Sequence, residues 1–275
     1  MDNLGYLFYK DYYGEEDVLD GSRNYDSLNE GLLKQKIRDV DMNIKIKPSF
    51  SLITRYPGCL VGIGNMHESG QGNNDEIKIG FYFDYTTGLP NIPGSTIKGI
   101  LRSAFEHKNY IADMFEIDEN DVDTLKKEIF DGKFGDKKIP AYERDIFFDA
   151  VINIKENLGK TILADDYITP HLKNSMKELG EPTPIRMLKI PGDIVFDFYF
   201  ALKSSRQLPV LTAEKKTEKF KEILLDFGVG AKTNVGYGNF SEDIKKIRES
   251  YKNYDNQLKE SKKTANKDTG KHNSK

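Results

Sequence analysis

The order in which two periodicities alternate constrains this chain most. A β-rich run containing Ile44, Ile46, Phe50, Leu52 and Ile53 closes at Tyr56-Pro57-Gly58, as a strand does. Ile97, Ile100, Leu101, Ala104 and Phe105 then recur at helical spacing behind Pro93-Gly94-Ser95, with Ser95 placed as N-cap. A nearly continuous apolar run, Ile146 to Ile152 within Arg144 to Ile154, reads as a central strand, and Asp193 to Leu202 as another after the Pro191-Gly192 turn. A helix from Ala213 presents Phe220, Ile223, Leu224 and Phe227, and the glycine run Gly228 to Gly238 leads into a strand near Asn239-Phe240. The expected order is strand (44–55), helix (95–108), strand (145–154), strand (193–202), helix (213–227), strand (234–241). This βαββαβ order specifies an α+β, ferredoxin-like (RRM-like) sandwich of two helices on a four-stranded sheet.

The remaining segments are arranged around that unit. Residues 1–43 read as an acidic, Tyr-rich arm, irregular to about residue 25, followed by an accessory helix carrying Leu28, Leu32, Leu33 and Ile37. The domain itself spans 44–243, with large insertions at 57–94 and 155–184. The first holds the alternating Ile77 to Phe83 segment, read as a hairpin or projecting loop; the second is loop-rich, with Asp165, Asp166, Pro170, His171, Pro182 and Pro184. A further strand is expected at Ile185 to Ile190, and a further helix from Val122 to Phe130, stopped by Asp131-Gly132. Residues 244–275 read as a charged helical stub and then a disordered basic tail.

Net charge is −3, but it is unevenly distributed: residues 245–275 carry ten Lys/Arg against four Asp/Glu, so the rest of the chain stands at −9. Contact with a polyanion would therefore depend on particular basic residues. No run approaches the ~18 apolar residues of a spanning helix, and Met1-Asp2-Asn3-Leu4-Gly5 lacks the plan of a secretory signal. A cytoplasmic protein with no membrane partner is expected. One cysteine, Cys59, and four scattered histidines, His67, His107, His171 and His272, offer no metal-ligand spacing. Neither a metal nor a cofactor is expected. Cys59, between Gly58 and Leu60, reads as a small buried hydrophobe.

Two stretches carry chemistry. In Gly228-Val229-Gly230-Ala231-Lys232-Thr233-Asn234-Val235-Gly236-Tyr237-Gly238, four glycines surround a Lys-Thr pair. A Walker A loop needs glycine where this chain has Ala231 and Asp226, and needs a helix after the loop rather than before it. What remains is a helix-to-strand connection offering Lys232, Thr233, Asn234 and backbone amides to an RNA phosphate backbone. The alternative is a plain turn closing the sandwich. The second stretch is the helix start with Ser95, Thr96, Lys98 and Arg102, where free amides, hydroxyls and two cations make a candidate phosphate site. Taken alone, it reads better as an ordinary capped helix with a solvated basic face.

Leu89 to Arg102, Phe147-Phe148-Asp149-Ala150, Asp166 to His171, Pro182-Thr183-Pro184-Ile185 and Gly228 to Gly238 together resemble the RAMP superfamily of CRISPR-associated proteins, and within it the sixth-subunit family of the Cmr (type III-B) effector complex. The resemblance covers residues 44–241. It implies a ferredoxin-like RAMP fold and a non-catalytic subunit in antiviral defence that binds CRISPR RNA near its 3′ end and caps the RAMP backbone. The implied partners are CRISPR RNA, target RNA, other Cmr RAMP subunits and small helical subunits. The expected RNA-binding residues are Ser95, Thr96, Lys98 and Arg102, with Gly228, Gly230, Lys232, Thr233, Asn234, Gly236, Tyr237 and Gly238. The rival reading is a RAMP endoribonuclease processing CRISPR RNA with His67 as general base. A metal-dependent cut would instead need an exposed loop carboxylate, for which Asp75 and Glu76 are the candidates.

Overall fold

A computed structural model describes residues 3–13, 24–39, 46–62, 64, 75–169, 184–254, 256–257 and 259. The first elements are helix α1 (Leu4–Tyr6), continued by a π-helical turn (Leu7–Asp11), then α2 (Tyr25–Leu33), β1 (Phe50–Thr54), β2 (Asn91–Ile92), α3 (Gly94–Ala104), α4 (Lys108–Phe115) and α5 (Glu119–Lys126). A second π-turn (Lys127–Asp131) leads to β3 (Lys133–Phe134), β4 (Lys137–Lys138), β5 (Ile146–Phe147), β6 (Ala150–Ile152) and α6 (Ile154–Asn157). The last elements are β7 (Ala164–Ile168), β8 (Ile185–Lys189), β9 (Val195–Phe198), β10 (Phe200–Ala201), α7 (Ala213–Phe227) and β11 (Phe240–Ser241). Residues 244–254 form a further helix, in keeping with the expected stub. The tail from 261 onward lies outside the described residues.

One antiparallel sheet runs in the order β11-β1-β9-β6-β2. Its register pairs Leu52 with Phe196 and Phe50 with Phe198, then Ile152 with Phe196 on the other side of β9, and Thr54 with Phe240. Helices α3 and α7 pack on each other. Their stripes, Ile97, Leu101 and Ala104 with Phe220, Ile223 and Leu224, share one core with Leu52, Phe196, Phe198, Ala150 and Ile152. Each fully buried Leu, Ile or Phe contributes about 1.5–3 kcal/mol relative to exposure. A buried ion pair, Lys216 Nζ to Asp145 Oδ2 at 2.5 Å, ties α7 to the approach to β5. Removing either partner would strand a charge.

The amino-terminal arm departs from expectation. Leu4, Phe8 and Tyr12, spaced by four, are 0–1% exposed, so the segment is a core helix rather than an irregular arm. Tyr12 accepts from the Ile77 amide at 2.8 Å and donates to Asn29 Oδ1 at 3.0 Å, while the hydroxyls of Tyr9 and Tyr13 donate to the carbonyls of Phe81 and Ile77. Ile77, Phe81 and Phe83 are buried in the same core as this segment, while Ile79 packs in a second cluster with Leu60, Met187 and Tyr237. The described part of the 57–94 stretch from Ile77 to Phe83 is therefore packed rather than projecting, and the end of that stretch, β2, is a sheet edge. Glu76 is 1% exposed, which removes it as an exposed loop carboxylate. His67 lies outside the described residues.

Other expected boundaries also move. The 146–152 run is broken at Phe148-Asp149, so that β5 pairs with β10 while β6 joins the main sheet. The helix expected to reach residue 108 ends at Ala104, and α4, not foreseen, follows. The 155–184 insertion contains β7, which pairs with β8 from Ala164↔Lys189 to Ile168↔Ile185 in a separate hairpin. His171, Pro170 and Pro182 lie outside the described residues. The last strand shrinks from 234–241 to Phe240–Ser241, because Gly236 and Gly238 take φ of 99° and 72°, which no strand accommodates.

Candidate nucleic-acid interface

The glycine-rich connection leaves α7 and threads against residues 58–60. Val229 N–H donates to Gly238 O (2.8 Å), Gly238 N–H to Gly58 O (2.7 Å) and Ala231 N–H to Leu60 O (3.0 Å). Such lacing requires close approach. A Cβ on Gly230 would lie 2.3 Å from Leu60 O, and one on Gly238 2.0 Å from Val229 O, with both residues at positive φ. Three amides are thereby spent inward. What the loop turns outward is the short 3-10 turn Thr233–Val235 and the residue before it. Lys232 is exposed at φ 59° and has no ion pair among the described residues. Asn234 is exposed and Thr233 half-buried.

Tyr237 does not join them. It is buried, and its hydroxyl donates to Asp166 Oδ2 at 2.6 Å, the oxygen that Lys189 Nζ also reaches at 2.6 Å. Burial pushes the Asp166 carboxyl up, but the hydrogen bonds from Lys189 and Tyr237 outweigh it and hold the group below its usual range. Burial first, then the Asp166 bond, raises the Tyr237 hydroxyl. This side chain braces the loop against the β7–β8 hairpin; it is not an open stacking platform. The exposed aromatic nearby is Tyr56, 80% accessible, whose neighbour Pro57 lies beside Gly236.

At the start of α3 the N-cap position is Pro93, without a side-chain cap, and Ser95 is exposed in the first turn. The carboxylate of Asp149 takes the capping role. Its Oδ1 accepts from Gly94 N–H at 2.7 Å and its Oδ2 from Asn91 Nδ2 at 2.8 Å. Gly94 is required there because a Cβ would lie 2.2 Å from Phe147 O. The stretches Leu89 to Arg102 and Phe147 to Ala150 are thus one joint. This corrects the expectation of an open phosphate site and of Ser95 as cap: a negative group already complements the positive end of the helix. Lys98 Nζ sits 6.0 Å from the centre of the Phe147 ring, Arg102 pairs with Asp131 at 2.6 Å, and Thr96 is half-buried. Among the described residues no hydrogen bond or ion pair links this group to the glycine-rich loop. Asp149 and Tyr56 were missed, since an acid within an apolar strand and an aromatic before a proline carry no local signal of such roles.

Cys59 is buried, which pushes its thiol up to about 12, and its Sγ donates to Val229 O at 3.4 Å. It is a packing residue. Among the described residues no group of three His, Cys, Asp or Glu is placed to hold a metal, and no helix is long and apolar enough to cross a membrane.

The model of the RAMP superfamily matches residues 52–241, from β1 to β11. The chain belongs to that superfamily. Within it, the chain is similar to proteins named CRISPR system Cmr subunit Cmr6: 28% identical over 209 residues to that of Pyrococcus furiosus, covering 57% of this chain and 59% of the relative. To that of Saccharolobus solfataricus it is 29% identical over 162 residues, covering 58% and 48%. The chain thus spans roughly half to three fifths of the curated relatives it matches. Among solved structures, it matches a chain of the type III-B Cmr-beta complex bound to cognate target RNA at 26% identity, covering 70% of this chain and 56% of that one, with a TM-score of 0.49. It matches the crystal structure of Cmr6 from Pyrococcus furiosus at 24% identity, covering 70% and 95%, with a TM-score of 0.35.

Proposed function

We propose that this chain is a non-catalytic RNA-binding subunit of a type III-B CRISPR (Cmr) ribonucleoprotein in antiviral defence. It holds CRISPR RNA toward its 3′ region and caps the RAMP backbone, beside other RAMP and small helical subunits. The observation that carries the RNA contact is Lys232: an exposed ammonium with no ion pair among the described residues, held at positive φ by a loop whose backbone bonds inward. Thr233 and Asn234 stand beside it as hydrogen-bond partners for phosphate. The similarity to Cmr6 proteins supports the assembly. The order β11-β1-β9-β6, with α3 after the first core strand and α7 after the third, supports a ferredoxin-like domain to which β2 adds an edge.

The test uses short single-stranded RNA. The chain should retain it in a salt-dependent manner without cutting it. Lys232→Ala should weaken retention equally across sequences and reduce the log–log salt slope by about 0.7, the loss of one phosphate contact. Cleavage abolished by His67→Ala would replace this reading with an endoribonuclease. Absence of RNA binding, alone and in the assembled complex, would leave a protein scaffold.

A further inference from the structure

Beside the glycine-rich loop lies a cleft of about 650 Å³, lined by Arg55, Tyr56, Asn239, Ile247, Tyr251 and Tyr254. Its volume is within the ~300–1,000 Å³ range of small-ligand clefts. One wall is the chain leaving β1, and the second is the return from the glycine-rich loop. These are stitched together where Arg55 N–H donates to Asn239 O at 2.9 Å. Asn239 Nδ2 in turn donates to Gly236 O at 3.1 Å, so the cleft and the Lys232 turn share one backbone frame. The third wall is the helix of residues 244–254. It is anchored from below: Arg248 bonds the side chain and carbonyl of Glu156 at 2.8 and 2.6 Å, and Tyr251 lies over Gly192, where a Cβ would stand 1.6 Å from its hydroxyl.

The lining is aromatic and cationic. Tyr56 is 80% and Tyr254 60% exposed, a large aromatic surface left open to water. Among the described residues Arg55 is exposed with no ion pair, and no carboxylate belongs to the lining. The Asn239 side-chain carbonyl has no hydrogen-bond partner among the described residues, whereas the Tyr251 hydroxyl is buried against Gly192 and faces away from the opening. Flat aromatic faces, one free cation and an unused carbonyl suit an unpaired nucleobase with its phosphate. An apolar protein helix would leave the arginine and the carbonyl unmatched.

We propose that this cleft receives an unpaired base of the RNA strand whose phosphate meets Lys232, with Tyr56 and Tyr254 as stacking faces and Arg55 on the adjoining phosphate. The inference rests on the RNA reading above and adds the site that takes the base. Tyr56→Leu and Tyr254→Leu, each in the full chain, are tested against short single-stranded RNA carrying 2-aminopurine. Each should lower affinity about 10-fold with the salt slope unchanged, since no counterion-displacing charge is lost, and should abolish quenching of the bound 2-aminopurine. Lys232→Ala should do the reverse, lowering the slope while saturating RNA still quenches. Thermal melting checks that each variant folds, and Tyr254→Leu, on the exposed helix, carries the test if Tyr56→Leu does not. Unchanged affinity and quenching in the tyrosine variants, with the Lys232 effect intact, would overturn the cleft and leave the RNA reading standing. A loss confined to assembly with protein subunits would make it a protein-docking site. Absence of RNA binding by the wild-type chain, alone and assembled, would overturn both.

Discussion

The start of α3 and the glycine-rich connection after α7 look alike in sequence and are opposite in structure. Each pairs glycine with hydroxyl and basic residues, and each contains a glycine pressed onto a carbonyl oxygen: Gly94 on Phe147 and Gly238 on Val229. At α3 the chain has supplied its own anion, Asp149, and engaged Arg102 with Asp131. At the loop the amides close on neighbouring backbone and Lys232 is left outward. A glycine-rich basic stretch thus reports close backbone approach first. Whether it can hold an external anion depends on whether an internal carboxylate already reaches it.

The contrast can be attacked by substitution. The largest effect belongs to Gly238→Val, which combines positive φ with a 2.0 Å clash against main chain. It should cost about 3 kcal/mol or more in urea unfolding, and a variant as stable as the wild type would show that the loop can re-thread. Asp149→Ala should cost about 1–2 kcal/mol, the loss of a helix cap plus the bond to Asn91. Its RNA salt slope should be unchanged; a steeper slope would mean that removing the carboxylate opens an anion site at α3 after all. Lys232→Ala should move stability by less than about 0.5 kcal/mol, as a surface change does, while altering RNA retention. A melting temperature that falls with it would make Lys232 structural. The smallest effect is expected from Arg102→Ala, which removes an exposed ion pair worth about 0.2–0.5 kcal/mol and should leave RNA retention near wild type. A loss matching that of Lys232→Ala would erase the distinction between the regions.

The sheet and its two helices were legible because their apolar spacing is carried by Leu, Ile and Phe: Ile97 to Phe105 and Phe220 to Phe227 each show one helical face. Helix α1 was not, because its face is completed by Tyr12, a residue that counts as half polar until its hydroxyl is known to bond Ile77 and Asn29. The break at Phe148-Asp149 was hidden for a related reason. An apolar run sets the burial of a strand but does not show that one carboxylate within it will be drawn to a helix 55 residues away in sequence. In the candidate site, the loop and its lysine could be read from composition. The inward turn of Tyr237 could not, because its partner, Asp166, is set by the pairing of β7 with β8.

The clasp between α1 and the Ile77 to Phe83 segment also bears on how the molecule is made. During synthesis Tyr12 emerges first, and the amide it will receive follows 65 residues later. Until then Leu4 and Phe8 are uncovered apolar surface on a nascent chain, the kind of surface that chaperones hold. Once the clasp closes, Leu4 is wholly buried, so an affinity tag joined just ahead of it is attached to the core and not to a tether.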